Sequence, residues 1–200
     1  MKILIIGGKG TIGKRVVAAL ESDHELIIGG RKHADVEVDI ADSSSIAKMY
    51  KEVGQLDAIF CIGGEAKWAK MEDLSEEDYY IGIRSKLMGQ VNVVRLGINS
   101  LKPNGCFILS TGILADDPVP MTTSAAMVNG AIHSFAQAAA LELEGGKRIN
   151  VVSLGLVADS AEKYKDYFPG HNPVPMDEAV NAYLKALLGR MNGQIIRHYR

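Results

Sequence analysis

Apolar positions along this chain alternate between two periods, short unbroken runs and longer stretches spaced three and four residues apart. The first run, Ile3 to Ile6 behind Lys2, is mostly β-branched and suits a strand covered on both faces. Gly7, Gly8, Gly10 and Gly13 follow it, and Val16, Val17 and Leu20 then take up helical spacing. Later runs predict strands at Glu25–Ile28, Val36–Asp39, Leu56–Ile62, Cys106–Leu109, Arg148–Ser153 and Gln194–Tyr199. Helical spacing predicts helices over Ser43–Val53, Ser75–Leu101, Thr123–Glu144 and Asp177–Gly189. Asp42 or Ser43 is placed to cap the first of these, and Ser75 with Asp78 to cap the second. Pro103-Asn104-Gly105 and Gly145-Gly146 are stops.

Strands alternating with helices throughout mean an α/β fold built as a three-layer Rossmann fold. The expected sheet is parallel and seven-stranded, of order 3-2-1-4-5-6-7, with helices on both faces. The first strand then lies centrally, and a ligand belongs beyond the carboxyl ends of strands 1 and 4, where the strand order reverses. Nothing reads as a linker, so residues 1–200 form a single domain. The one long irregular connection, Leu154 to Met176, is rich in charge, Tyr, Pro and Gly, and has the length of a lid.

The glycine stretch carries the first chemistry. A strand, a glycine turn and a helix let backbone approach a pyrophosphate, which rests on the positive end of the helix. Beyond strand 2, dinucleotide sites for NAD carry an acid for the ribose hydroxyls, and here Arg31 stands instead. Its planar fork suits a 2′-phosphate, and Lys9 and Lys32 add positive charge nearby, so the expected cofactor is NADP(H). A solvated basic turn is the alternative for these cations.

Composition narrows the remaining classes. The chain is 47% hydrophobic with a net charge of −2 and no lysine- or arginine-rich block, which opposes a nucleic-acid partner. No apolar run approaches the roughly 20 residues of a membrane helix. Cys61 and Cys106 sit in apolar runs without metal-ligand spacing to histidine, so buried reduced thiols, no metal and a cytoplasmic location are expected. The chain opens directly on a strand, so no signal peptide is expected.

Several motifs together resemble the short-chain dehydrogenase/reductase family over nearly the whole chain. The turn is similar to that family's Gly-x-x-x-Gly-x-Gly, with Gly7 and Gly13 in place and Thr11 at the middle glycine. Asp39 matches the family's adenine-binding aspartate, and Cys61-Ile62-Gly63-Gly64 stands where the family has Asn-Asn-Ala-Gly. Arg148 to Gly155 resembles Arg-Val-Asn-x-x-x-Pro-Gly, with Leu154 replacing proline. The resemblance implies a cofactor held by Gly7, Lys9, Gly10, Thr11, Ile12, Gly13, Arg31, Lys32, Asp39, Ile40, Gly63 and Gly64. Asp39 also suits a simple turn.

The same resemblance implies a serine after strand 5 and a Tyr-x-x-x-Lys on the next helix. Thr111 matches the serine, but the Tyr and Lys register falls on Ser124 and Val128. The family's asparagine, three residues before a glycine, falls on Lys86 before Gly89, where an ammonium would replace the one lost at Val128. The candidate catalytic residues are therefore Thr111, Lys86 and Ser124. Thr111 also suits a strand end, Ser124 a helix start and Lys86 a solvated helix face. His133 reads as a packed helical residue, and Tyr164, Tyr167 and His171 as loop packing or a cover for the site.

Two functions are compatible with these residues. One is an NADP(H)-dependent oxidoreductase acting on a small carbonyl or alcohol, its proton coming from Lys86, a loop tyrosine or water on Thr111. The other is an inactive NADP(H)-binding sensor. Arg31 opposes a methyltransferase, whose cofactor wants an acid at that place. Ala131, Phe135, Ala138 and Ala139 form one apolar stripe, and Val91, Val94, Ile98 and Leu101 another. One stripe faces the sheet, and the resemblance implies that the two helices pair in a homodimer, with a tetramer also open.

Overall fold

A computed structural model describes residues 1–200. Its single sheet has seven parallel strands in the order β3-β2-β1-β4-β5-β6-β7. These are β1 (Lys2–Ile6), β2 (Glu25–Gly30), β3 (Val36–Glu37), β4 (Leu56–Cys61), β5 (Leu101–Gly112), β6 (Arg148–Leu154) and β7 (Ile195–His198). β1 lies centrally because its Ile3, Leu4 and Ile5 are fully buried and need cover on both faces. Its neighbours are β2, with Ile3 opposite Leu26, and β4, with Ile3 opposite Ala58.

Alternate residues of each strand feed two separate cores. Leu4, Ile59, Phe107, Leu109 and Val151 meet α2 (Ser43–Val53), α4 (Met88–Gly97) and α5 (Thr123–Glu142) through Ile46, Met49, Val93 and Ile132. Ile3, Ile5, Phe60, Ile108 and Val152 meet α1 (Gly13–Leu20) and α7 (Met176–Leu188) through Val16, Leu20, Tyr183 and Ala186. Truncating one of these fully buried isoleucines to alanine costs about 2–5 kcal/mol, so each face fixes the register of its helices. The result is the three-layer Rossmann arrangement expected.

Three elements depart from expectation. The predicted helix Ser75–Leu101 begins as α3 (Glu76–Gly82), capped reciprocally by Ser75 and Asp78, and widens into a π turn at Ile83–Leu87 before α4. It ends at Gly97, and Leu101 opens β5, which pairs with Leu56 before a register shift past Asp57. The connection after β6 is not irregular. It contains α6 (Ala158–Tyr164), and a one-residue bridge from Val157 to Val174 closes its base. Arg15 of α1 holds α6 through Asp159 at 2.8 Å. No helix is long and apolar enough to cross a membrane. Both cysteines are buried and free, and burial pushes the Cys61 thiol up to about 12.

Candidate functional site

The carboxyl ends of β1, β2, β4 and β5 open onto two cavities of about 760 and 170 Å³ that share Gly63, Gly64 and Glu65 as a common wall. The glycine turn allows this. Gly7 has φ +85°, and a Cβ there would lie 2.1 Å from the Ile62 carbonyl oxygen. A Cβ on Gly13 would lie 2.1 Å from the Gly7 oxygen, so only glycine lets α1 start against the turn. The Gly10 amide donates to that same oxygen at 3.0 Å, and Ile12, just before α1, lines the larger cavity.

Gly7, Arg31, Asp39, Ile40, Gly63 and Gly64 line the smaller cavity. Asp39 does two things there. Its Oδ1 accepts the Ala41 amide at 2.9 Å, forming a turn, while the residue still borders the cavity. Arg31 is not free, because its guanidinium donates to Glu65 at 2.7 Å across the mouth of this pocket. Lys9, Thr11 and Lys32 are exposed and line neither cavity. The structure does not bring them together with the cavity-lining residues.

The larger cavity is lined by both Lys86 and Thr111. Lys86 projects from the π turn, whose widened backbone breaks the regular helical spacing, a device common at functional sites. Its ammonium donates to the Ser110 carbonyl at 3.2 Å, and burial lowers its pKa from the ordinary value, partly offset by Cys61. Gln90 clamps the same peptide from both sides, donating to the Ser110 carbonyl at 2.9 Å and accepting its amide at 3.1 Å. The Ser110 hydroxyl pairs with Tyr183 at 2.6 Å, and Thr111 Oγ1 with His133 Nε2 at 2.8 Å.

Ser124 and Val128 are not at the site. Both are fully buried against α3, Ser124 Oγ 3.2 Å and Val128 Cγ1 3.3 Å from where a Cβ of Gly82 would be. The cavity-facing pair with four-residue spacing is Ala125 and Asn129, one residue further on, and His133 continues the stripe. The register read from the sequence was therefore off by one. The missed signal is the polar pair Asn129 and His133, four apart on the buried side of an alanine-rich helix. At the outer end, Trp68 lies 5.5 Å from the Tyr164 ring and 5.9 Å from the Tyr167 ring, and all three line the cavity with Lys67 and Lys163.

A family model described as enoyl-(acyl carrier protein) reductase matches residues 12–179. The chain is a short-chain dehydrogenase/reductase. Within this family it is similar over its full length to the protein lin1944 from Listeria innocua, at 43% identity, TM-score 0.97 and 100% coverage of both chains. A small-chain dehydrogenase solved in complex with NADPH aligns at TM-score 0.88 and 24% identity, covering 99% of this chain and 96% of that one. A Zymoseptoria tritici protein named "Probable tetrahydroxynaphthalene reductase" is 26% identical over 179 residues, 85% of this chain; the match spans 66% of that relative's length.

The site residues fit a nicotinamide dinucleotide. At Gly63, on the wall the two cavities share, a Cβ would meet only Ile40 Cδ1 at 4.0 Å, and Asn129 Oδ1 is buried beside the larger cavity with no hydrogen-bond partner. An orphaned acceptor of this kind costs about 1–3 kcal/mol unless a ligand or water donates to it, and a ribose hydroxyl is such a donor.

Proposed function

We propose that this short-chain dehydrogenase/reductase is an NADP(H)-dependent oxidoreductase acting on a small carbonyl or alcohol, with a proton donor other than the family's tyrosine. The observation that carries the reading is the pair of joined cavities, one bordered by Arg31 and Asp39, the other by Lys86, Thr111 and Asn129. The nicotinamide supplies or accepts the hydride. Asp39 and Ile40 hold the adenine end, Arg31 the 2′-phosphate, and Asn129 a ribose hydroxyl. Thr111 hydrogen-bonds the substrate oxygen, and the Lys86 ammonium stabilises the charge that develops on it. Trp68, Tyr164 and Tyr167 favour a flat, largely apolar substrate, and Lys67 and Lys163 favour one bearing an anionic group at its outer end.

An NADPH titration followed by oxidation assays over aldehydes, ketones, quinones and enones tests this. Turnover of any carbonyl supports the reading. Tight NADPH binding without turnover returns the sensor alternative, and absence of binding ends both.

Cofactor choice has its own test, because Glu65 competes with a phosphate for Arg31. Arg31→Ala is expected to weaken NADPH by about 1.5–3 kcal/mol while leaving NADH unchanged. Glu65→Gln frees the guanidinium and should tighten NADPH by up to about 1 kcal/mol, the scale of an exposed ion pair. Isothermal titration with both cofactors checks the two together. Equal losses for NADPH and NADH in Arg31→Ala remove the phosphate assignment.

We also propose assembly into a homodimer through α4 and α5. Of the stripe from Val91 to Leu101, Val94 faces the core and Leu101 lies in β5, whereas Ile98, just after α4, stays exposed along with Ala138 and Leu141 of α5. Light scattering at micromolar concentration should give twice the 21.6 kDa chain mass. A monomer mass would end this proposal.

A further inference from the structure

We infer that His133, acting through the Thr111 hydroxyl, is the proton source that replaces the missing phenol; this rests on the oxidoreductase reading above. Thr111 is the last but one residue of β5 and borders the larger cavity, and His133 lies behind it on α5, its Nε2 2.8 Å from Thr111 Oγ1. Both residues are 7% exposed, so the hydrogen bond is sheltered from competing water. Ala125 stands two helical turns before His133 on the same stripe, and its methyl group leaves open cavity beside Thr111 where a longer side chain would reach. Lys86 is held to the Ser110 carbonyl, so it supplies charge while the dyad supplies the proton.

The charged groups facing His133 come from two other elements. Asp116, after β5, favours the imidazolium, and Arg197 of β7 opposes it. Arg197 holds the Asp116 carboxylate at 2.8 and 3.1 Å, and the Tyr199 hydroxyl donates to it as well. Tyr199 in turn pairs with Ser153 of β6 at 2.7 Å. Asp116 is thereby fixed and ionised, its pKa held below the ordinary carboxylate value by Arg197 first. Burial outweighs it and lowers the His133 pKa from 6.5.

In carbonyl reduction the reductant is the nicotinamide cofactor, and the electron pair left on the substrate oxygen forms the new O–H bond. The Thr111 Oγ–H bond breaks as that bond forms. The His133 Nε2–H bond breaks as a new Oγ–H bond forms on Thr111, and imidazolium becomes imidazole, to be recharged by a proton from water. Carbonyl, hydride and proton give one alcohol, with Thr111 unchanged. Because the imidazolium is the acid and its pKa is lowered, reduction should quicken as pH falls below 6.5, whereas alcohol oxidation, which needs neutral imidazole, should level off near neutrality.

Four variants and one spectrum test the dyad. His133→Gln keeps a hydrogen-bonding group but cannot titrate, Thr111→Val removes the hydroxyl, Thr111→Ser retains it, and the Thr111→Val/His133→Gln double variant removes both. His133→Gln and Thr111→Val should each lower kcat about 10²-fold, the double variant should be no worse, and Thr111→Ser should stay near wild type. The acid-side rise in kcat should disappear in His133→Gln. In the cofactor-free protein, NMR should show the His133 imidazole titrating with a midpoint below the ordinary 6.5. Wild-type turnover with an unchanged pH profile in His133→Gln overturns the dyad alone, as does a His133 that stays neutral from about pH 8 to about pH 4.5. A wild type that reduces no carbonyl removes the oxidoreductase reading and the dyad with it.

Discussion

Lys86→Met should lower the turnover of any carbonyl by about 10²–10³ while the fold and NADPH binding survive, the range for losing one preorganised charge at a developing oxyanion. Methionine keeps the unbranched stem that passes Gly64, and removes only the ammonium that sits on the Ser110 carbonyl. The sign of the pH dependence follows from burial. A lysine whose pKa is lowered loses its charge at lower pH than free lysine, so the alkaline limb of kcat should lie below the ordinary 10.5 and vanish in Lys86→Met. Steady-state rates across pH, with circular dichroism as a control for folding, check this. If Lys86 serves the ribose instead, the variant binds NADPH more weakly and its kcat is unaltered. No change in either quantity would leave Lys86 a structural residue.

The fold was legible because burial on both faces writes itself plainly. Ile3 to Ile6 can only be a central strand, and the alternation that follows admits few topologies. The glycine turn was equally readable, since Gly7 and Gly13 each stand where any Cβ would strike a backbone oxygen. What stayed hidden depends on contacts between distant residues. Helix α6 carries too short and polar a stretch to show a period, and it is held by Arg15 from more than a hundred residues away. The π turn under Lys86 leaves no mark in local composition. Arg31 pointed to a phosphate, yet its pairing with Glu65 could be seen only once β2 and the segment after β4 were side by side.

Helix α5 shows most clearly why the register failed. It is apolar on nearly every face, so no stripe stood out to fix its rotation, and a one-residue error turns a helix by about 100°. The structure makes that error testable. Ser124→Tyr would force a phenol into the fully buried contact with Gly82, an overpacking that should cost about 3 kcal/mol or more and lower Tm by about 6–12 °C. Ala125→Tyr has the larger cavity to enter, and should change stability by only about 1 kcal/mol. Combined with Asn129→Lys, it places a phenol and an ammonium four residues apart on the face that borders Thr111, where the ammonium can lower the phenol's pKa. NADPH-dependent carbonyl reduction should then rise above the wild-type rate and no longer need His133. Thermal denaturation separates the two single variants, and the opposite order of Tm, with Ser124→Tyr tolerated and Ala125→Tyr unfolded, would return the site to Ser124 and Val128.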